Sequence, residues 1–151
     1  MKKLLIITIS IMIILALSSS VMAEAVKLDL PLYPGSGETG LGEVILNNPS
    51  GTISLVVQVN LKGAIDGETY TVWIRAKDEG GTWVVLSEDP YSSGGWYKLG
   101  DFVTNKVGNG TFHANLELAY SGKLSNIVVA LDTEVYKKIN YWSEEGEIEI
   151  K

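Results

Sequence analysis

The chain has no cysteine among its 151 residues, and this absence excludes several kinds of chemistry. Disulfides, thiol nucleophiles and cysteine-ligated metals are all excluded, so the stability of the fold must come from packing and strand pairing. No cysteine is present to hold a lipid anchor. There is also only one histidine, His113, whereas a catalytic zinc normally uses three protein ligands, commonly with several histidines.

Basic residues are few as well: 12 lysines and arginines stand against 18 acidic residues, for a formal net charge of −6. Nucleic acids and anionic membrane surfaces both attract basic patches, so we expect neither as a partner. No glycine-rich loop follows a strand and opens a helix, as a phosphate-binding loop requires. No serine stands in a nucleophile-elbow motif.

The first 23 residues have the order of a secretory signal peptide. Lys2 and Lys3 make a basic start, an apolar run covers residues 4–17, and residues 21–23 place small or short side chains before Glu24. The apolar run is shorter than the roughly 20 residues of a membrane-spanning helix. We therefore expect an exported protein, extracellular, cell-surface or periplasmic, that is cleaved before Glu24. Without cleavage, the same segment would serve as a membrane anchor.

The chain divides into a signal peptide (1–23), an irregular lead-in (24–42) and one β-sandwich domain (43–151). Cleavage would leave 10 basic against 18 acidic residues, a net charge of −8. The lead-in is predicted to be irregular because prolines and glycines recur through it. Within it, Lys27–Leu32 would fit a short edge strand.

Alternation of apolar and polar residues predicts strands in the rest of the chain. In Thr52–Leu61, the side chains of Ile53, Leu55, Val57, Val59 and Leu61 share one face. In Thr69–Lys77, the polar-patterned face holds Thr71, Trp73, Arg75 and Lys77. Further strands are expected at Glu43–Leu46, Thr82–Leu86, Trp96–Val103, Thr111–Leu118, Ile127–Leu131 and Glu147–Lys151.

Turn residues separate these strands, and no long helix is expected after the signal segment. Residues 105–110, which include Gly108-Asn109-Gly110, predict a hairpin turn, Gly100 is expected to mark a bulge, and residues 134–142 are ambiguous. Together the pattern predicts an all-β fold: an antiparallel Ig-like or Greek-key β-sandwich of seven to nine short strands, preceded by the signal helix.

Two stretches resemble known families. Gly42–Ile74, GEVILNNPSGTISLVVQVNLKGAIDGETYTVWI, resembles the opening of Cu/Zn superoxide dismutase-like sandwiches and of the related CHRD domains, which implies a Greek-key sandwich. Where the dismutases place metal-binding histidines, this chain has residues 70–75, none of them histidine, so no functional residue is carried over. Leu99–Leu118, LGDFVTNKVGNGTFHANLEL, resembles a hairpin of uncharacterised exported β-sandwich proteins of prokaryotes.

Aromatic residues are the main candidates for a binding site. Trp73 and Arg75 fall on the polar-patterned face of their strand, while Tyr91, Trp96 and Tyr97 flank a glycine- and serine-rich loop. Exposed aromatic rings can stack on sugars or anchor a protein interface. The alternative is structural: a second sheet or a loop covers Trp73, and the other rings belong to the core.

Other candidate sites are weaker in the sequence. Asp78-Glu79 and Glu88-Asp89 offer oxygen ligands for calcium, without the spacing of a compact calcium loop. His113 is expected on the solvent face of its strand. Asn109-Gly110-Thr111 matches the N-glycosylation acceptor pattern, at Asn109.

These observations favour a non-enzymatic exported domain with a binding or structural role at the cell surface, and a protein or glycan as partner. The alternative is a small extracytoplasmic hydrolase or metal-dependent enzyme whose site is built from loop carboxylates. No cofactor or metal ligand set is expected, calcium being the one candidate ion.

Overall fold

The computed structural model describes residues 24–49, 51–88, 90, 94–133 and 139–151. The predicted signal helix therefore lies outside the described residues. Nine strands are found in the described part: β1 (Glu24–Leu30), β2 (Leu41–Asn48), β3 (Leu55–Lys62), β4 (Thr69–Lys77), β5 (Tyr97–Val103), β6 (Gly110–Leu116), β7 (Gly122–Asp132), β8 (Ile139–Trp142) and β9 (Gly146–Ile150). None of the described residues forms a helix that would be long and apolar enough to cross a membrane.

The strands form two antiparallel sheets. The smaller sheet has the order β1-β2-β3-β6, and the larger has the order β5-β4-β7-β8, with β9 also paired to β7. The predicted all-β, antiparallel class is thus confirmed for the described residues. Buried side chains from both sheets belong to one hydrophobic core.

Period-2 alternation places the core side chains as predicted. In β3, the side chains of Leu55, Val57, Val59 and Leu61 are at most 1% exposed, and the residues between them are half-buried. In β4, the inward face consists of Tyr70, Val72, Ile74 and Ala76, each fully buried. Ile53 lies before the start of β3 and is only half-buried, so its predicted burial is partial.

The lead-in 24–42 is less irregular than predicted. Its first seven residues form β1, whose Leu28 pairs with Val44 of β2 and is buried. The prolines and glycines that suggested an irregular segment all lie after β1, and Pro31 follows its last residue. Leu32, expected on the buried face of an edge strand, makes only an isolated bridge to Tyr141 and is 37% exposed.

The predicted strand Thr82–Leu86 is wrong. This segment makes a single bridge, from Trp83 to Lys77, and a backbone hydrogen bond from Val84 to Ala76. β4 is paired with β7 from Thr71 to Lys77 and, on its other side, with β5 from Thr69 to Ile74, so only its last residues offer an open edge on the β5 side.

The predicted hairpin at residues 105–110 is wrong in a different way. The turn is present, but β5 pairs with β4 in the larger sheet and β6 pairs with β3 in the smaller one. The turn therefore carries the chain from one sheet to the other. A turn motif predicts where the chain reverses direction, and it does not determine which sheet each flanking strand joins.

The bulge expected at Gly100 is confirmed, because Val72 pairs with Gly100 while the next residue, Trp73, pairs with Lys98. The ambiguous segment 134–142 ends in β8, and its residues 134–138 lie outside the described residues.

Candidate functional site

The outer face of the larger sheet carries an unusual set of side chains. Along β4, Trp73, Arg75 and Lys77 alternate with core residues and so face away from the core. Trp73 pairs with Ala130 of β7, which in turn pairs with Trp142 of β8. The register therefore brings two tryptophans onto this face on either side of a small residue.

Arg75 lies among three tryptophan rings. Its guanidinium carbon is 5.1 Å from the ring centroid of Trp83, 4.6 Å from that of Trp96 and 5.1 Å from that of Trp142. At such distances a cation is attracted by the negative face of an aromatic ring. We call Arg75, Trp83, Trp96 and Trp142 the Trp–Arg cluster. Lys77 extends it, because its ammonium nitrogen is 4.6 Å from the centroid of Trp83.

The rings of the cluster also contact one another. Trp96 and Trp142 meet edge to face, with centroids 5.2 Å apart and planes at 77°. Tyr33, from the connection between β1 and β2, lies 6.1 Å from Trp142. Trp83 is 37% exposed and Tyr33 is 44% exposed, while Trp96 and Trp142 are half-buried. The outer surface of the cluster is therefore partly open to solvent.

Two glycine-containing loops bring these rings together. The turn at residues 78–81 sends Trp83 back beside Lys77, and the Asp78 carboxylate accepts the N–H of Thr82 at 2.8 Å. Gly95 then leaves room for Trp83, since a Cβ at Gly95 would lie 2.6 Å from a ring carbon of Trp83. A side chain at position 95 would therefore displace Trp83 from the cluster.

The positively charged guanidinium of Arg75 is partly removed from solvent within the cluster. Burial lowers the pKa of Arg75 from its ordinary value, and the negative charge of Glu145 opposes that shift in part. Within the described part of the chain, neither Arg75 nor Lys77 forms an ion pair, and the buried Nε of Arg75 has no hydrogen-bond partner. The stacked rings are thus the main neighbours of this guanidinium.

The structure gathers only some of the residues predicted for this site. Arg75 and Trp96 belong to the cluster. Trp73 is on the same face but is only 5% exposed, so it lies beneath the surface, as the structural alternative expected. Tyr91 lies outside the described residues.

Tyr97 is a correction to the predicted site. Tyr97 begins β5, is 8% exposed and belongs to the hydrophobic core. Trp96, the residue before the strand, lies instead in the outer cluster beside Arg75.

Sequence reasoning did not place Trp83 or Tyr33 at the site, and it marked Trp142 only as an aromatic residue near the C-terminus. The signal that would have found Trp83 is the Gly80-Gly81 turn, which folds the chain back beside the end of β4. Trp142 depends on the pairing of β7 with β8, for which no local signal exists.

His113 lies on the exposed face of β6, as predicted, and its Nε2 is 2.9 Å from the Asn115 side-chain oxygen. Asn109 is also exposed, and its side-chain oxygen accepts the N–H of Gly63 at 3.2 Å. Its use as a glycosylation acceptor stays a prediction.

The carboxylates proposed for calcium do not form a ligand set in the described residues. Asp78 closes its own turn, Glu88 is exposed, and Asp89 lies outside the described residues. Across the part of the chain that the structure describes, no group of three or more histidines and carboxylates is arranged to hold a metal ion.

A second polar cluster lies at the end of the core. The Tyr70 hydroxyl donates to Glu38 Oε2 at 3.0 Å, Asn140 Nδ2 donates to Glu38 Oε1 at 2.8 Å, and the Tyr141 hydroxyl donates to the Thr39 carbonyl at 2.6 Å. Burial, assisted by the Glu38 hydrogen bond, raises the pKa of Tyr70. Burial likewise raises the pKa of Tyr141 to about 12. These bonds attach the β1–β2 connection to β4 and β8.

No protein-family model matches the chain, and the searches of curated proteins and of solved structures give no match. The function is therefore argued from the site itself.

Proposed function

We propose that this chain is an exported, non-enzymatic Ig-like or Greek-key β-sandwich that binds a glycan through the Trp–Arg cluster, at the cell surface or elsewhere outside the cytoplasm. One observation carries the proposal. Arg75 is held among three tryptophan rings whose outer surface is partly open to solvent.

The strand order supports the Greek-key part of the proposal. β4, β5 and β6 follow one another in space as in sequence, since β5 approaches β6 between the sheets. β3 lies beside β6, and β7 lies beside β4. The three consecutive strands β4, β5 and β6 are therefore flanked by β7 beside β4 and by β3 beside β6. A fourth strand that returns to lie beside the first of three consecutive strands is the Greek-key order. The proposed relation to dismutase-like sandwiches would share this topology without their metal chemistry.

The chemistry of the cluster suits a sugar. A pyranose ring has an apolar face of C–H groups, which stacks on aromatic rings, and hydroxyls at its edge, which need hydrogen-bond partners. Trp83 and Tyr33 offer exposed rings, and Arg75 and Lys77 offer N–H donors beside them. The guanidinium also holds the rings in place before a ligand arrives, which reduces the entropy lost on binding.

Binding can be tested with the protein's own fluorescence, because all four tryptophans of the chain lie on this face. We expect at least one member of a panel of soluble neutral and acidic oligosaccharides to change the emission saturably. Trp83→Ala should abolish that change, and Trp83→Phe should retain it in part, since the ring is kept.

The control is Val103→Ala, which removes a side chain that is 60% exposed on β5. It should leave binding unchanged. Absence of any saturable response across the panel, or equal binding by Trp83→Ala, would contradict the glycan proposal.

A protein partner is the second candidate, and one observation favours it. Leu32 and Tyr33 are both exposed, and the ring of Tyr33 lies against Trp142. Tryptophan, tyrosine and arginine are enriched at the centres of protein interfaces. The same variants would then weaken a protein complex while no oligosaccharide affects the fluorescence. For the enzymatic alternative, the described residues provide no observation in its favour.

Export is tested separately, by sequencing the N-terminus of the native protein. The proposal expects a start at or close to Glu24. An intact Met1 terminus recovered from the membrane fraction would instead support the anchored alternative.

A further inference from the structure

A groove shares Trp83 with the Trp–Arg cluster and lies between the segment 83–88 and the β6–β7 connection at 117–120. It has a volume of about 520 Å³, which is in the range of peptide and small-ligand sites. Its floor is apolar, since Val84 and Leu86 are 8% and 2% exposed. Val85, in the same segment, is 69% exposed, so its apolar side chain is available for contact with a ligand.

The rim of this groove is acidic. Glu88 and Glu117 line it and are exposed, and Asp78 lies at one end. None of the described residues that line the groove is lysine or arginine. Lys77, the nearest cation along β4, is stacked on Trp83.

Further carboxylates lie near one wall of the groove, at Tyr120. Tyr120 lines the groove, and its pKa is raised first by burial and then by the negative charges of Asp78, Glu79 and Glu149. Two further carboxylates outside the lining thus act on this wall. An apolar floor under a one-signed rim favours a ligand that is both apolar and cationic.

We propose that this groove binds an extended basic peptide segment of a partner protein, with an apolar side chain against Val85 and flanking lysines or arginines at Glu88 and Glu117. Long basic side chains suit such a site, because their methylene stems cover apolar surface while the charge reaches the rim. The site is distinct in ligand from the Trp–Arg cluster and does not rest on the glycan proposal.

The probe is a blocked synthetic peptide with one leucine between lysines. It is compared with two matched peptides: in one, glutamate replaces lysine, and in the other, serine replaces leucine. We expect the lysine–leucine peptide to bind the purified protein and to weaken with added salt, because exposed charges are screened. Both matched peptides should bind more weakly.

Three variants locate the binding. Glu88→Gln and Glu117→Gln should each weaken the lysine–leucine peptide about two- to fivefold, as expected for exposed charge pairs. Val85→Ser should weaken it without unfolding the protein, since that side chain is mostly exposed. Trp83, which lines the groove and also belongs to the Trp–Arg cluster, is left intact in all three variants.

Asp66→Asn is the control for net charge. Asp66 is exposed and precedes the start of β4, whereas the groove lies beyond the end of that strand. It should leave peptide binding unchanged. The proposal is overturned if Asp66→Asn weakens binding as much as the groove variants do. It is equally overturned if the serine peptide binds as tightly as the leucine peptide, or if no peptide binds.

Discussion

Gly108 offers the sharpest test of how the two sheets are joined. It lies in the turn between β5 and β6, with a φ of 73° that L side chains rarely adopt. A Cβ built on Gly108 would overlap the carbonyl oxygen of Ala64 and lie 2.7 Å from the Ala64 nitrogen. Because these contacts are to backbone, no side-chain rotation relieves them.

Gly81 is the matched control, since its φ is 81° and nothing lies within 4 Å of a Cβ placed there. Gly81→Ala should therefore cost only the left-handed backbone penalty, about 1 kcal/mol. Gly108→Ala adds the displacement of the turn from residue 64, which threatens the two hydrogen bonds between them, worth about 1 kcal/mol each. These are Ala64 N–H to Gly108 O at 3.0 Å and Gly63 N–H to Asn109 Oδ1 at 3.2 Å.

The expected loss for Gly108→Ala is thus about 3 kcal/mol, a large share of the roughly 5–15 kcal/mol of a typical domain. Urea denaturation followed by tryptophan fluorescence measures both variants. Equal midpoints for Gly81→Ala and Gly108→Ala would refute the docking of this turn against Ala64.

Three further predictions follow from burial and hydrogen bonding. Val57→Ala should cost on the order of 1–3 kcal/mol in unfolding free energy, because Val57 is fully buried, whereas Gln58→Ala on the half-buried face should cost little; equal denaturation midpoints would count against the register of β3. Raising the pH from about 10, the ordinary pKa of tyrosine, to about 12, the pKa of Tyr141, should destabilise the protein. The fold favours the neutral hydroxyls of Tyr70 and Tyr141, and that stability is lost as they ionise. Tyr141→Phe should reduce this alkaline sensitivity in pH-dependent melting, and an unchanged profile would show that the Tyr141 hydroxyl does not contribute. His113→Ala should change stability by no more than about 0.5 kcal/mol, as for other exposed side chains, and should leave ligand binding unchanged; stoichiometric copper or zinc in the purified wild type that is lost in this variant would instead favour the metal-dependent alternative.

The local parts of the fold could be predicted because they depend on neighbouring residues. β4 begins and ends at the predicted residues, Thr69 and Lys77, since its alternation is unbroken between two turns. β1 is predicted in part: the edge strand expected at Lys27–Leu32 overlaps its last four residues, whereas the proline and glycine content of the whole lead-in hid its first three. Predictions about the candidate site were limited to local features. Arg75 stands out on a polar-patterned face, but no residue near it in the chain identifies the rings that surround it.

The sequence by itself determined which side chains of each strand turn inward, because side chains alternate between the two faces of any strand. Only the tertiary structure decided which sheet each strand joined and which distant rings met. The turn at 105–110 has the same local chemistry whether it closes a hairpin or crosses between sheets, and the choice depends on β5 pairing with β4 and β6 with β3. Trp83, Trp96 and Trp142 surround Arg75 because separate connections return to one sheet face, and that is a property of packing between elements far apart in the chain.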